Sequence, residues 1–333
     1  MSSRVAIIYN KPIAGRYQET NEISAVLGIL DAVGAVQKSL VELGHETILV
    51  PLELPIDKAK DAVKELDVEI VFNLFEGFPG YPETEAWLPE LLQELSIPYT
   101  GCPAESLKIA LNKAKTKELF FTNGIPTPPF QVLDQQTISN FRLSFPCIVK
   151  PLTEDASHGL NEQSVVHDMT HLESQVKFVC GKYGSALVEQ YIEGREFNIT
   201  VIGNKEYRVL PISEICYNLP PDKPRILTYA AKWEEDSLYY KSTPVICPAI
   251  ISDEKEQEMR EIAVAAYKIT GCRGYARIDM RMDMENNINV LEVNPNPDIS
   301  PNAGSVRQAK AAGLSYADFV KEILSLAKEI AVL

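Results

Sequence analysis

Gly274-Tyr275-Ala276-Arg277-Ile278-Asp279-Met280-Arg281-Met282-Asp283-Met284-Glu285-Asn286-Asn287-Ile288-Asn289-Val290-Leu291-Glu292-Val293-Asn294 is the stretch from which the fold can be read. Two strand-like runs flank Met284-Glu285-Asn286-Asn287, a natural turn. Residues two apart on a strand share a face. Arg277 therefore lies with Asp279 and Glu292 with Asn294, while Leu291 and Val293 point the other way. If Asp283 pairs with Ile288, the same register sets Asp279 opposite Glu292 and Arg277 opposite Asn294. Two carboxylates opposed on one sheet face repel each other. A divalent cation between them reverses that penalty, and carboxylate and amide oxygens suit Mg2+ shared with phosphates. The plainer alternative is a solvated hairpin face with Arg277 as counter-ion.

Working outward, Leu187-Val188-Glu189-Gln190-Tyr191-Ile192-Glu193-Gly194-Arg195-Glu196-Phe197 is an apolar strand that breaks near Gly194 and resumes through Ile202. It is either a plain hairpin or a hinge that takes a flat base on its backbone groups, with a carboxylate for ribose hydroxyls. Lys150 ends the strand Phe145–Val149 and precedes a small polar loop at 153–159, a type that folds over phosphates. Lys232 sits in the apolar setting Ala230-Ala231-Lys232-Trp233. Lys113 shares its helix, read as Ala104–Asn123, with Lys108, Lys115 and Lys117, the look of a solvated face.

The first hundred residues alternate strand and helix: Val5–Tyr9, a helix from Glu22 to Leu43 stopped by Gly44, His45–Pro51, Asp57–Leu66, Val68–Leu74 and Glu83–Leu95. That order predicts a parallel sheet covered on both faces. Asn10-Lys11-Pro12-Ile13-Ala14-Gly15 follows the first strand where a dinucleotide fold has GxGxxG, which excludes the usual nicotinamide site. From Phe145 the pattern turns to α+β.

Length and composition bound the rest. The 333 residues carry 46 acidic and 32 basic side chains, a formal net charge of −14. Nucleic acid and anionic membrane are thereby disfavoured as partners, since both need a basic surface. No apolar stretch spans a bilayer and no signal peptide is evident, so a cytoplasmic protein is expected. Six dispersed cysteines form no CxxC, and the expectation is free thiols. His167 and His171 are four apart, but residue 168 is Asp and no third ligand is apparent, so zinc is not expected. No GxSxG elbow suggests covalent hydrolysis.

The pieces together resemble the D-alanine–D-alanine ligases of the ATP-grasp superfamily, over roughly Val68 to Leu326. The carriers are Ile97-Pro98-Tyr99-Thr100-Gly101-Cys102, Leu111-Asn112-Lys113 with Lys117, Ile148-Val149-Lys150-Pro151, Val188-Glu189 through Glu196-Phe197, Ala231-Lys232, Gly274–Asp279 and Leu291–Asn294. The resemblance implies a mixed α/β and α+β architecture: an N-terminal parallel domain at 1–103, a central lid domain at 104–186 and a C-terminal mixed-sheet domain at 187–333. It implies ATP and two Mg2+ ions, with Mn2+ as an alternative. Lys113, Lys150 and Lys232 would hold the phosphates under the loop with Ser157. Glu189, Tyr191 and Ile192 would receive adenine, and Glu196 the ribose. Asp279, Glu292 and Asn294 would ligate metal. Arg277, with Lys150 and Lys232, would serve the chemistry. Small amino-acid-like substrates and a homodimer are further implications.

The substrate positions depart from the family pattern. Its amino-group loop position falls on Ala156, and Trp233 follows Lys232. Its N-terminal Glu-x-x-Val-Ser is poorly matched by Glu22-Ile23-Ser24, and Asn73-Leu74-Phe75-Glu76-Gly77-Phe78 replaces its His-Gly-x-x-Gly-Glu-Asp. Ala303 and Gly304 occupy its Ser-Leu positions, and Asp298 stands where it has glycine. A site that loses hydrogen-bonding groups is built for another ligand. The expected activity is an ATP-dependent ligation through an acyl phosphate with a changed substrate pair. A true D-alanine–D-alanine ligase, an imine-forming mycosporine-glycine–amino acid ligase and a silent nucleotide-binding regulator are the alternatives. The loop 153–159 and the segment 213–240 are expected to close over the site.

Overall fold

Val5, Ala6, Ile7 and Ile8 are all fully buried, because strand β1 (Arg4–Asn10) is the centre of a three-stranded parallel sheet. β2 (Glu46–Leu52) and β3 (Ile70–Leu74) flank it. Alternate β1 side chains meet helices on opposite faces. Val5 and Ile7 pack with Val33 and Val36 of the helix Ile29–Glu42, and with Phe319 and Ile323 of the helix Tyr316–Ile330. Ala6 and Ile8 pack with Val63, Leu88 and Leu91. Gly44, at φ 83°, ends the helix Ile29–Glu42 in the left-handed conformation. This computed structural model describes residues 2–12, 28–155 and 157–330. The expected helix start at Glu22 and the positions Glu22, Ile23, Ser24 and Ala156 lie outside them.

The helix expected from Ala104 to Asn123 is two helices, Ala104–Leu111 and Lys113–Thr122. Asn112, at φ −88° and ψ 92°, leaves the helical conformation, and its side chain accepts the N–H of Lys115. An asparagine favours this capping role over the helix interior. Lys113 therefore opens a new helix with Lys117 one turn on. Both are buried, against the solvated face expected from the lysine-rich sequence.

A second sheet combines β4 (Phe130–Leu133), β5 (Cys147–Pro151), β6 (Val165–Val166) and β7 (Ala186–Gln190) in the order β4-β7-β5-β6. A third combines β8 (Gly194–Ile202), β9 (Arg208–Val209), β10 (Ser213–Ile215), β11 (Val245–Ile246), β12 (Tyr275–Asp283) and β13 (Ile288–Asn294). Its path runs β11-β10-β8-β12-β13, with β9 on β8. β7 and β8 belong to different sheets, so Tyr191-Ile192-Glu193 is a crossing between them and not a hairpin. The change of sheet lies between Gln190 and Gly194, later than the boundary at 186 expected from the sequence. Phe120, from the stretch assigned to the middle domain, packs in the core of the third sheet.

β13 carries a correction. Met282, not Asp283, pairs with Ile288, yet Asp279 still faces Glu292 and Arg277 still faces Asn294. One extra residue, Leu291, reconciles the two registers as a bulge. Leu291 was expected to point away from Glu292, but both line the same cavity.

Candidate active site

Two cavities meet between the second and third sheets. The smaller, about 100 Å3, is lined by Lys113, Lys150, Ser157, Glu189, Tyr191, Ile192, Glu196 and Lys232, together with Asp279 and Glu292. The larger, about 1170 Å3, is lined by Trp233, Arg277, Asn294, Asp298, Ala303 and Gly304, and it shares Lys232 and Glu292 with the first. The residues expected for the nucleotide thus gather on one side with Asp279 and Glu292, and those expected for substrate on the other with Asn294, the third residue expected for metal.

The hinge is held by lysines. Glu189, 1% exposed, lies 2.6 Å from Lys117 Nζ and 2.7 Å from Lys150 Nζ through its two oxygens. Lys117 Nζ also donates to Thr127 Oγ1 at 2.8 Å. Burial lowers the pKa of Lys117 well below that of a free lysine, and Lys150 adds repulsion. Burial likewise brings Lys150 down to about 8, with Glu292 opposing the shift. Lys113 Nζ donates to the carbonyl of Glu154 and, at 3.2 Å, to Asp155, tying the loop to its helix. In that loop Ser157 adopts φ 63°, a conformation non-glycine residues rarely take.

Burial raises the Glu292 carboxyl, but Lys113, Lys150, Lys232 and Arg277 outweigh it and hold the group down at about 2. It is thus a carboxylate amid four cations. Lys232 is lowered by burial and then by Arg277. Arg277 Nε and Nη2 donate to the two Asp279 oxygens, and Asn198 Nδ2 donates to Oδ1 at 2.7 Å. Asn294 Oδ1 accepts the N–H of Asn296 at 2.9 Å. No cluster of three His, Cys, Asp or Glu side chains suited to a metal occurs among the described residues. Asp279, Glu292 and Asn294 instead offer two carboxylates and an amide, hard oxygens that fit Mg2+ completed by phosphate oxygens. His167 precedes the helix Met169–Tyr183 that contains His171, so the two do not share a helical face.

The larger cavity is acidic at one end. Glu76 is exposed to the cavity, yet the protein surrounding it displaces enough water to push its carboxyl up to about 8, with Asp298 and Glu85 adding repulsion. Burial, then Asp155, also takes Glu85 to about 8, although Asn296 Nδ2 donates to it at 2.7 Å. Asp298 accepts from the N–H and hydroxyl of Ser300.

Sequence reasoning assigned no role to Lys117, Tyr217 or Arg281. Arg281 continues the two-residue period of Arg277 and Asp279, a signal present in the sequence. Its partner Glu196 emerges only when β8 pairs with β12.

Residues 119–325 match the family model described as D-ala D-ala ligase C-terminus. The chain belongs to the D-alanine–D-alanine ligase family. As a member it is an ATP-grasp ligase, a class that forms carbon–nitrogen bonds. It is 32% identical over 276 residues to D-alanine–D-alanine ligase B of Chromobacterium violaceum, covering 81% of this chain and 84% of that one. An uncharacterised protein of Sinorhizobium fredii is 35% identical over 300 residues, 88% and 86% of the two chains. The fold is that of solved ligases. The D-alanine–D-alanine ligase of Bacillus anthracis, complexed with ATP, superposes at TM-score 0.74 with 21% identity and 99% of each chain covered. The VanG D-Ala:D-Ser ligase of Enterococcus faecalis gives 0.76 with 19% identity, 98% of this chain and 100% of that one. No helix among the described residues is long and apolar enough to cross a membrane.

Proposed function

We propose that this ligase joins an amino acid, or a related carboxylate or carbonyl compound, to an amine other than in the D-alanine pair. The observation that carries the ligase chemistry is the convergence of Lys113, Lys150, Lys232 and Arg277 on Glu292, where the two cavities meet. Four cations there suit a transferring phosphoryl group, whose reaction depends on positioning and charge neutralisation. A substrate oxygen attacks the γ-phosphate of ATP and ADP leaves. The amine nitrogen then attacks the activated carbon and phosphate departs.

In this reading Lys113, Lys150 and Lys232 bind the phosphates, Ser157 covers them, and Tyr191 and Ile192 offer hinge backbone to adenine beside Glu189. Arg277 steadies the charge that develops on the substrate. Asp279, Glu292 and Asn294 would hold two Mg2+ ions, which when bound offset phosphate charge. A three-unit division along the chain and a homodimer in the cytoplasm belong to the same proposal.

The acidic end formed by Glu76, Glu85 and Asp298 favours a changed substrate pair, with Trp233, Ala303 and Gly304 lining the same space. The experiment is ADP release from Mg-ATP with D-alanine, and separately with a panel of amino acids and cyclic acceptors. Turnover with another pair and silence with D-alanine is the expected result. Dipeptide formed from D-alanine would return the chain to the narrower family activity. Nucleotide binding without turnover on any pair would overturn the enzymatic reading.

A further inference from the structure

Arg281 is 3% exposed and lies directly opposite Glu196 in the pairing of β12 with β8. Its Nε and Nη2 donate to Glu196 Oε2 at 3.0 and 2.7 Å, and the Tyr217 hydroxyl donates to the same oxygen at 2.7 Å. Nη1 donates to the carbonyl of Ile192 at 2.7 Å, and Nη2 also to that of Arg225. Arginine has five N–H groups. Four are directed at one carboxylate oxygen and two carbonyls, so this cation in the nucleotide cavity is committed to protein and not to phosphate.

The direction of these bonds matters. All three donors fall on Oε2, and no hydrogen bond to Oε1 occurs among the described residues. Charge-assisted hydrogen bonds of this kind fix the rotation of a buried carboxylate. The same side chain joins the crossing at Ile192 to Arg225, whose neighbours Ile226 and Leu227 line the nucleotide cavity. Tyr191 strengthens that tie: its hydroxyl donates to the Arg225 carbonyl at 3.2 Å and its ring lies 5.1 Å from the guanidinium.

We infer that Arg281 is the positioning residue of the nucleotide site, clamping Glu196 through Oε2 so that Oε1 is presented to the vicinal ribose hydroxyls. The inference rests on the ATP reading above and deepens it. An arginine that competed with ribose would cap both oxygens; this one takes a single oxygen and leaves the other.

The test is calorimetric binding of Mg-ADP and of Mg-2′,3′-dideoxy-ADP to the intact protein. The wild type binds ADP roughly tenfold to a hundredfold more tightly, the range for hydrogen bonds to a charged group. In Arg281→Met that ratio falls to within about threefold of unity, because dideoxy-ADP has no hydroxyl to lose. Arg281→Lys is intermediate. Tyr217→Phe removes one donor from the same oxygen and lowers the ratio less, so the idea stays testable if Arg281→Met does not fold. A merely structural role would weaken both nucleotides alike and leave the ratio intact, and that result, or a raised ratio, overturns the inference. A wild type that binds neither nucleotide, or both equally, overturns the ATP and ribose reading beneath it.

Discussion

Arg277 grips Asp279 at both ends: Nε meets Oδ1 at 2.7 Å and Nη2 meets Oδ2 at 2.8 Å, two residues along one strand face. The carboxylate proposed for metal and the cation proposed for the substrate therefore satisfy each other. On the proposed roles, each would release the other on binding phosphates and metal. Arg277→Ala is expected to lower kcat roughly a hundredfold to a thousandfold, the cost of losing a preorganised donor. Mg-ADP affinity, read by calorimetry, should hold, because Asp279 is freed. A loss of affinity matching the loss of rate would place Arg277 on the nucleotide instead.

Glu292→Gln should abolish Mg2+-dependent turnover and leave the far-ultraviolet circular dichroism of the wild type. The carboxylate offsets four surrounding cations, so its loss should also lower Tm at low ionic strength, and added sulfate should restore much of it. Retained turnover would remove the opposed-carboxylate argument.

Lys150 has a folded pKa of about 8, below its ordinary 10.5, chiefly through burial. Both folded and unfolded chains carry the proton below about pH 8. Between 8 and 10.5 only the unfolded chain keeps it, so this group favours folding progressively more as pH rises through that window. Phosphate binding has the opposite trend, because it needs the charge. The Kd for Mg-ADP should rise as pH passes 8, and Lys150→Arg should flatten that profile. Lys150→Ala should bind nucleotide far more weakly at every pH.

Glu85 titrates the other way. Burial lifts its folded pKa from 4.5 to about 8. The unfolded chain loses its proton first, so stability falls as pH rises from about 4.5 to 8. Glu85→Gln can keep an acceptor for Asn296 and should unfold at a less pH-dependent denaturant midpoint over that range. Equal pH slopes in both proteins would show that Glu85 ionises freely.

Gly194 sits at φ 148° where the crossing enters β8, and a Cβ there would lie 2.1 Å from the Met282 carbonyl oxygen. Gly194→Ala should cost about 2–4 kcal/mol in urea unfolding, since neither backbone can yield without breaking the β8–β12 ladder. An unchanged midpoint would mean that the crossing is softer than its geometry.

Much of the site is legible in the chain because it lies on strands. The two-residue period sets Arg277 with Asp279, and the turn at 284–287 brings Glu292 opposite. The bulge at Leu291 leaves a trace: the apolar period of Ile288 and Val290 breaks at the adjacent pair Val290-Leu291 and resumes one residue late at Val293, although alternation read back from Val293 hides it. The burial of Lys113 and Lys117 is hidden for another reason. A helix with four lysines looks solvated until Asn112 breaks it and turns two of them toward Glu189 and the loop at 154–155. Glu196 is readable as a carboxylate beside a hinge, but Arg281 and Tyr217 reach it from strands and loops far away in sequence. Only pairing across the third sheet creates that contact.

The helix Tyr316–Ile330 closes one face of the first sheet, with Phe319 and Ile323 against Val5, Ile7 and Phe72, and Lys328 Nζ donates to Ser3 Oγ at 3.0 Å. On the ribosome this face has only the helix Ile29–Glu42 as cover when β1, β2 and β3 emerge. At about 5–20 residues per second, roughly ten to fifty seconds separate Leu74 from Tyr316. The first of the three sheets to be synthesised is thus completed only after the strands of the other two have emerged. A nascent chain stalled before residue 316 would present the uncovered part of that apolar wall to chaperones, and removing the helix Tyr316–Ile330 would expose it again.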